Sequence, residues 1–437
     1  MTTATRADTG WGRFRADFQA EILARIPEHL ERLSWSAERI EAAQRDGLRG
    51  LLAHAVAQSP FHRQRLAGTD VAGIEPGDLA SLPVMTKTDM MAAIDDVFTD
   101  RRLSLAAIEQ ALAVTGTEPV PVLDRYMALA TGGSTGQRGV FVFEPAAKAT
   151  FILSIIRSLL AGLHAAGGIP PGGLPMAMVG AGSAVHATGA AAAETVGTDV
   201  PVRVTSVPVT LPWPEIVDRL NALQPPALIG FASALARLAA EQSAGRLHIA
   251  PTVIISTSET LVPEARAEIT AAFGTPVINS FATTEGLMGS SAPGGDVLMF
   301  NSDVCIIELV DARNRPVGPG CRPPRCWSRT CITSPSRSSG TSSPTRSCAC
   351  RTTPAPATCW PACRVGPTRC STTRPAICTR MSSGRSWSSP LRSRTTRSGR
   401  PGPGSRPRSS PPAARAPKPS AVGWRRRSPA AGSASLT

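Results

Sequence analysis

The sequence predicts an α/β fold with a mostly parallel sheet covered on both faces, behind a helical N-terminal lobe. Three observations predict it. From about residue 118, short apolar runs alternate with Ala-rich amphipathic stretches. Before that point the apolar positions repeat at helical rather than alternating spacing. And the chain changes character at about Cys321: the last 117 residues contain no Asp, Glu, Phe, Tyr, Asn, Gln or His, so the folded core is sought ahead of them.

The elements follow in order. Phe18, Ile22, Ile26 and Leu30 share one helical stripe, as do Ile40, Leu48, Leu51, Leu52 and Ala55. Pro60 breaks that pattern. "IEPGDLASLPVMTKTDMMAAI" predicts a loop, a turn at Pro83 and a helix starting near Thr86–Asp89. Residues 1–117 are thus expected to form a helical lobe. In residues 118–320, Gly139–Phe143 is a strand candidate and Ala149–His164 a helix. Pro171–Gly180 holds a second strand, and Gly189–Val196 a helix. "LPWPEIVDRLNAL" predicts a helix, and "ALIGFASALARLAAEQ" a strand, turn and helix. Thr252–Ser256 is a strand. Pro263–Phe273 is a helix with Pro263 in its first turn and Gly274 just past its end. Val277–Phe281 is a strand, and Cys305–Val310 begins an antiparallel part.

Charge divides the chain the same way. The formal net charge of +14 sums two unlike parts: residues 1–320 are near −8 and residues 321–437 carry +22. The basic tail has no aromatic interleaving or recognition helix, so no specific nucleic-acid interface is expected. Nine of the ten cysteines lie in the tail, without the paired spacing of zinc ligands. Cys305 alone in the first 320 residues suits a reducing cytoplasm. No signal peptide and no apolar run of ~18 uncharged residues is read, so no membrane span is expected.

A shifted reading frame accounts for the tail. GC-rich coding DNA read out of frame yields Arg, Pro, Ser, Ala, Thr, Gly and Cys. Back-translation of Cys326–Thr345 permits "LVTNLHHQPLPIIRYELTD", and that of Arg364–Met381 permits "GRADEVLHYEAGDLHPH". These strings have the acids, aromatics and apolar runs of a folded protein. The competing reading is a genuine low-complexity basic tail. On either reading residues 321–437 are expected to be disordered, lacking apolar periodicity to offset ordering entropy.

Three segments carry chemistry. In "ATGGSTGQRGVFVFEP", Gly132, Gly133, Gly136 and Gly139 allow close approach of backbone to a ligand, and Thr131, Ser134 and Thr135 add hydroxyls. Such a loop wraps phosphate, or is an ordinary surface loop. It lacks the Walker and dinucleotide spacings. In "VINSFATTEGLMG" an apolar strand ends in Phe281, Thr283, Thr284 and Glu285, the usual ligand crevice of a parallel sheet. Glu285 reads as a Mg²⁺ ligand or as an acid at a helix start. In "IISTSETLVPEARAEI", Ser258 and Glu259 either line a nucleotide pocket or begin the next helix. Asp303, ahead of an apolar strand, is a weaker candidate.

In order and spacing these segments resemble the acyl-adenylate-forming (AMP-binding) superfamily of ANL-type ligases. The phenylacetate–CoA ligase and coenzyme F390 synthetase branch is the nearest likeness. "LLAHAVAQSPFHRQRL", "LPVMTKTDM", "LIGFASALARLA", "TSETLVPEAR" and "DVCIIELVDARNRPVGPG" extend the resemblance over roughly residues 40–320. It implies ATP and Mg²⁺, a small carboxylic acid substrate and coenzyme A as acceptor, and is compatible with a homodimer. The carboxylate attacks the α-phosphate of ATP, and a thiol then displaces AMP. By the same resemblance Thr131, Gly132, Gly133, Ser134, Thr135 and Gly136 hold phosphates, with Arg138 the nearby cation. Ser258, Glu259 and Phe281 line the adenosine site, Thr284 touches the α-phosphate, Glu285 ligates Mg²⁺, and Asp303 is an acid near the nucleotide.

The departures are specific. The family's ATP loop ends in Pro-Lys, whereas Gln137-Arg138 stands here. Ala282 replaces a glycine, and Thr260 follows Glu259. The stretch "VGAGSAVHATGAAAAETVG" is small and apolar; its His186 either faces an acyl pocket or is a satisfied interior histidine. The family's ribose-binding Arg-Tyr-Arg-Thr-Gly-Asp segment and its lid-domain hinge do not occur in residues 321–437. Activity of this chain is therefore expected to be lost or impaired; the alternative is a non-catalytic nucleotide- or acyl-binding relative.

Overall fold

The computed structural model describes residues 10–132, 138–165, 167–168, 170–195, 199–310, 327–332 and 350–351. The N-terminal part is helical. It comprises α1 (Gly10–Glu31), α2 (Ala37–Gln58), α3 (Pro60–Arg65), the two-residue β1 (Met85–Thr86), α4 (Lys87–Ala92), α5 (Ile94–Val97) and α6 (Leu105–Val114). Trp11, Phe14, Phe18 and Ile22 form the buried stripe of α1, with Ile26 and Leu30 partly buried behind them. Pro60 ends one helix by starting another: it enters the first turn of α3, and the Ser59 side chain accepts the N–H of His62.

The α/β part runs β2 (Met127–Ala130), β3 (Val140–Phe143), α7 (Pro145–Ala165), β4 (Leu174–Gly180), α8 (Ala187–Thr195), β5 (Val202–Pro208) and α9 (Trp213–Leu223). It continues through β6 (Ala227–Phe231), α10 (Ala232–Ser243), β7 (Val253–Thr257), α11 (Pro263–Phe273), β8 (Val277–Ala282), β9 (Met288–Ser291), β10 (Leu298–Phe300) and β11 (Cys305–Val310). Seven strands form the main sheet in the order β10-β9-β8-β7-β6-β4-β5. Pairings from β5 to β8 are parallel; β8-β9 and β9-β10 are antiparallel.

Both faces of the sheet are covered, and β4 shows how. Met176 and Met178 pack into a cluster with residues of α1, α7 and α8, while Ala177 and Val179 pack with α9, α10 and α11. Strand periodicity sends alternate residues to opposite faces, so a strand covered twice reads as nearly continuous apolar sequence. α11 ends as its sequence predicts: Gly274 takes φ +68° and returns its N–H to Thr270 O. α7 is long and apolar enough to cross a membrane by length and composition. Here it is a core helix against α1, burying Phe151, Leu153 and Leu160 together with Lys148 and Arg157.

Two placements depart from a single continuous sheet. β3 pairs antiparallel with β2 in a separate two-stranded unit, Ala130 opposite Val140. The short connection between them permits only an antiparallel pair. β5 and β10 are the edges of the main sheet, and β5, with its mixed polarity, was not legible in the sequence, nor was the short β9-β10 hairpin. β11 pairs antiparallel with β12 (Trp327–Ile332), matching the expected antiparallel part. β12 and a two-residue strand at Cys350–Arg351 fall within the tail expected to be disordered. A backbone ladder needs only N–H and C=O groups, so composition does not forbid it. The rest of residues 321–437 lies outside the described residues.

Candidate functional site

The Gly-rich loop is the connection of the β2-β3 hairpin. Its neck is closed twice: Thr131 N–H donates to Gly139 O, and Gly139 N–H donates to Thr131 Oγ1, both at 2.9 Å. Thr131 is therefore a neck residue, and Gly132 beyond it is exposed. Gly133, Ser134, Thr135 and Gly136 lie outside the described residues. Arg138, the loop's cation, is half-exposed and paired with Glu109 at 3.0 Å.

The small apolar stretch before α8 abuts this neck. Ala130 N–H donates to Val185 O at 2.8 Å, and His186 Nδ1 lies 3.0 Å from Ala130 O. A carbonyl only accepts, so His186 Nδ1–H is the donor in this contact. His186 is half-buried and satisfied on one side.

The second group of candidates sits at the carboxyl ends of β6, β7 and β8, which register places side by side: Phe231 opposite Thr257, and Thr257 opposite Ser280. Ser258, immediately after β7, holds a left-handed φ of +65°. That conformation is costly for a side-chain-bearing residue and turns the chain so that Glu259 leaves the strand direction. Glu259 does not begin its own helix. Its carboxylate accepts the N–H of Ser233 at 2.8 Å and the Ser233 hydroxyl at 3.1 Å, at the first turn of α10.

Thr284 and Glu285 form the tip of the β8-β9 hairpin. Thr283 N–H donates to Leu287 O at 3.0 Å, Leu287 N–H to Thr283 Oγ1 at 3.2 Å, and Gly286 takes φ +100°. The reading of Glu285 as a helix-start acid is thereby corrected, because the chain reverses into β9 instead of entering a helix. Glu285 Oε1 instead lies 3.3 Å from Lys87 Nζ. Phe281 meets Phe300 edge-on, with ring centroids 5.7 Å apart. The residue opposite Phe281 is Gly289, where a Cβ would lie 2.8 Å from the Phe300 ring.

Asp303, the acid that the resemblance places near the nucleotide, is engaged by two arginines. It is buried, and Arg157 holds it bidentately at 2.6 and 2.7 Å while Arg32 approaches at 3.3 Å. Burial raises its pKa, but Arg157 and then Arg32 outweigh that and keep the carboxyl below its ordinary value. Its carboxylate ties the turn after α1 to α7 and to the turn before β11. Beside it, burial and then the Asp303 charge push the Cys305 thiol up to about 12, so it is no nucleophile.

Lys87, the partner of Glu285, was not singled out in the sequence. "MTKTDM" signalled a helix start, and nothing local said that this lysine crosses to the β8-β9 turn. The buried pair Lys148–Glu194, 2.9 Å apart between α7 and α8, was equally invisible in the sequence.

The described residues thus form a helical lobe, a doubly covered mostly parallel sheet and a two-stranded hairpin whose connection is the Gly-rich loop. No protein-family model and no curated protein sequence matches the chain. Among solved structures it is similar to a 2-hydroxyisobutyryl-CoA ligase in an open conformation with 2-HIB-AMP and CoA. The TM-score is 0.51 at 19% identity, over 69% of this chain and 62% of that one. The same ligase in its thioesterification state matches with TM-score 0.52 at 19% identity, over 69% and 61% of the two chains. The chain thus spans about three-fifths of the length of these structures. At this identity the likeness is one of fold.

Proposed function

We propose that the chain carries the nucleotide-binding core of an ATP-dependent carboxylic acid–CoA ligase, phenylacetate–CoA ligase-like in kind. The observation that carries this reading is a convergence. The neck of the Gly/Ser/Thr loop and the Thr284–Glu285 turn, 145 residues apart in sequence, are approached by one lysine, which pairs with Glu285 and whose stem lies where a Cβ on Gly139 would meet it at 3.3 Å. The similarity of fold to a CoA ligase supports it.

In this reading Thr131, Gly132, Gly133, Ser134, Thr135 and Gly136 hold phosphate oxygens through N–H groups and hydroxyls. Ser258 and Glu259 shape the adenosine side, and Phe281 offers a ring face to the base. Thr284 donates to the α-phosphate. Asp303 is left out, since two guanidinium groups already take its carboxylate. The residues fit Mg²⁺: Glu285 and Thr284 are hard oxygen donors, and Mg²⁺ is held by one or two carboxylates plus substrate phosphates. No group of three or more His, Cys, Asp and Glu among the described residues forms a closed metal cage. When bound, the ion would neutralise phosphate charge during attack by the carboxylate. The chain's own residues would position the phosphates for in-line displacement.

We further infer that the reading frame shifts near residues 319–325, removing the family's ribose clamp and lid hinge and impairing turnover. The abrupt change of composition at Cys321 supports this. The test is to sequence the DNA across codons 315–330, restore the frame and measure acid-dependent ATP–pyrophosphate exchange over a broad panel of acids. Exchange with an aryl or other hydrophobic acid is expected. Its absence with every acid defeats the ligase reading. The second reading, a non-catalytic nucleotide-binding relative, is favoured by Arg138 turning to Glu109 and away from a ligand role. Nucleotide binding without exchange in the repaired protein selects it.

A further inference from the structure

We propose that Lys148 and Glu194 are positioning residues: their buried ion pair holds α8 as a splint along the β2-β3 hairpin and so sets the place of the Gly-rich loop's neck. What this does for a nucleotide rests on the reading above; the splint itself does not. Lys148 lies in the first turn of α7 and Glu194 in the last turn of α8. Their side chains are 0% and 2% exposed, and Nζ is 2.9 Å from Oε1. The contact is one of charge, since neither atom makes a hydrogen bond among the described residues. Lys148 Nζ also lies 4.8 Å from the centroid of the Phe151 ring, which meets Phe143 of β3 edge-on at 5.3 Å. The Lys148 N–H donates to Glu144 O, so this lysine stands where β3 runs into α7, at the base of the hairpin.

The other end of α8 reaches the loop end of the hairpin. His186, just before the helix, places Nδ1 3.0 Å from Ala130 O, and Val185 O accepts the Ala130 N–H at 2.8 Å. Ala130 closes β2 and leads into Thr131, whose two bonds with Gly139 make the neck. The nine residues of α8 span about 12 Å, so the helix is tied to one end of the hairpin at its start and to the other at its finish. The hairpin needs such a brace. Among the described residues β2 and β3 form a sheet of two strands, and a two-stranded hairpin alone is marginally stable. Helix register is set by interlocking side chains, and "ATGAAAAET" offers few. Gly189 seats the first turn, where a Cβ would collide with Ser183 O, and Thr195 Oγ1 accepts the Val204 N–H of β5 at 3.0 Å. The tie to the hairpin's own helix is left to Lys148 and Glu194. A buried ion pair adds little stability over an apolar pair of similar volume; fixing register is its best-attested use.

The experiment is residue-resolved amide hydrogen exchange of the full chain, for the parent and for Lys148→Met/Glu194→Leu, with a melting curve of each. The double variant keeps the burial and removes both charges, so a melting temperature equal to or above the parent's is expected. The Ala130, Thr131 and Gly139 amides are expected to exchange about tenfold faster or more, while those of β6 and β7 keep their rates. Unchanged exchange at the neck overturns the proposal, and so does equal acceleration at the neck and in β6 and β7, which marks a merely structural pair. Titration with Mg·ATP reads the consequence: the loosened variant is expected to bind about fivefold more weakly or worse, and equal affinity overturns the link to the nucleotide. A parent that binds no Mg·ATP defeats the nucleotide reading alone, and the exchange data still decide the splint. Should the double variant not fold, the parent decides. As urea is added below its unfolding transition, the Ala130 amide and the Ala190 amide of α8 must open with one common free energy, and separate opening overturns the assignment.

Discussion

Arg157 grips Asp303 with both terminal nitrogens, Nη1 to Oδ2 at 2.7 Å and Nη2 to Oδ1 at 2.6 Å, and both side chains are 4% exposed. Arg32 adds a third contact from the end of the first helical segment. One carboxylate thus joins the helical lobe, α7 and the start of β11. Planar guanidinium groups suit such a site because each offers paired donors to paired lone pairs.

Asp303→Ala leaves two guanidinium groups buried beside a lost partner. It is expected to destabilise the fold by about 3–5 kcal/mol. Denaturant unfolding of parent and variant measures it. A variant as stable as the parent but deficient in nucleotide binding would return Asp303 to the nucleotide site.

Gly289→Ala tests the pairing of Phe281 and Phe300. The added Cβ would meet the Phe300 ring at 2.8 Å and Met299 O at 3.0 Å. Overpacking of this kind costs about 1–3 kcal/mol. A lowered melting temperature is expected, and an unchanged one means that the two strands slide apart without cost.

Acid should weaken the fold before its carboxylates titrate. Burial first, and then neighbouring arginines, lower His29 to about 4, and the same causes lower His62 to about 4. Among the described residues neither ring nitrogen of His62 has a hydrogen-bond partner. The unfolded chain takes up these protons near pH 6.5, whereas the folded chain waits until about pH 4. Above pH 6.5 both states are neutral and contribute nothing. Between those values the unfolded state binds more protons, so stability falls as pH falls, by up to about 1.4 kcal/mol per pH unit for each histidine. Unfolding free energies at about pH 7.5, 5.5 and 4.5 measure the slope. His62→Phe should remove one histidine's share, and a flat profile contradicts the burial argument.

Glu285→Ala, made in the frame-restored protein, should leave the melting temperature near the parent's and lower acid-dependent exchange by about 100-fold or more. Its side chain is 20% exposed, and its ion pair among the described residues is with Lys87, which makes it a minor contributor to folding. Equal exchange in parent and variant would reduce Glu285 to a hairpin-tip acid.

The regular elements were legible because their signals are local. Pro263 and Gly274 bracket α11, and Cys305–Val310 appears at the boundaries its apolar run predicts. The runs at β4, β6 and β7 are apolar on both sides because both faces of the sheet are covered. β5 was missed because an edge strand exposes one flank to solvent and alternates with polar residues. The Gly/Ser/Thr loop and "FATTE" stood out as motifs because each concentrates glycines or hydroxyl and acid groups within a few residues.

By itself the sequence determined the helical lobe, the alternation of strand and helix, the break at Cys321 and the two motifs, for periodicity, caps and composition act over a few residues. Only the tertiary structure decided which groups face one another. It turned Glu285 into a hairpin tip, set Glu259 on the first turn of α10, buried Asp303 between two arginines and brought Lys87 to Glu285 across 198 residues. Such pairings depend on sheet register and on the packing of the lobe against the sheet. A side chain's charge is written locally, but its partner is chosen by elements folded far away in sequence.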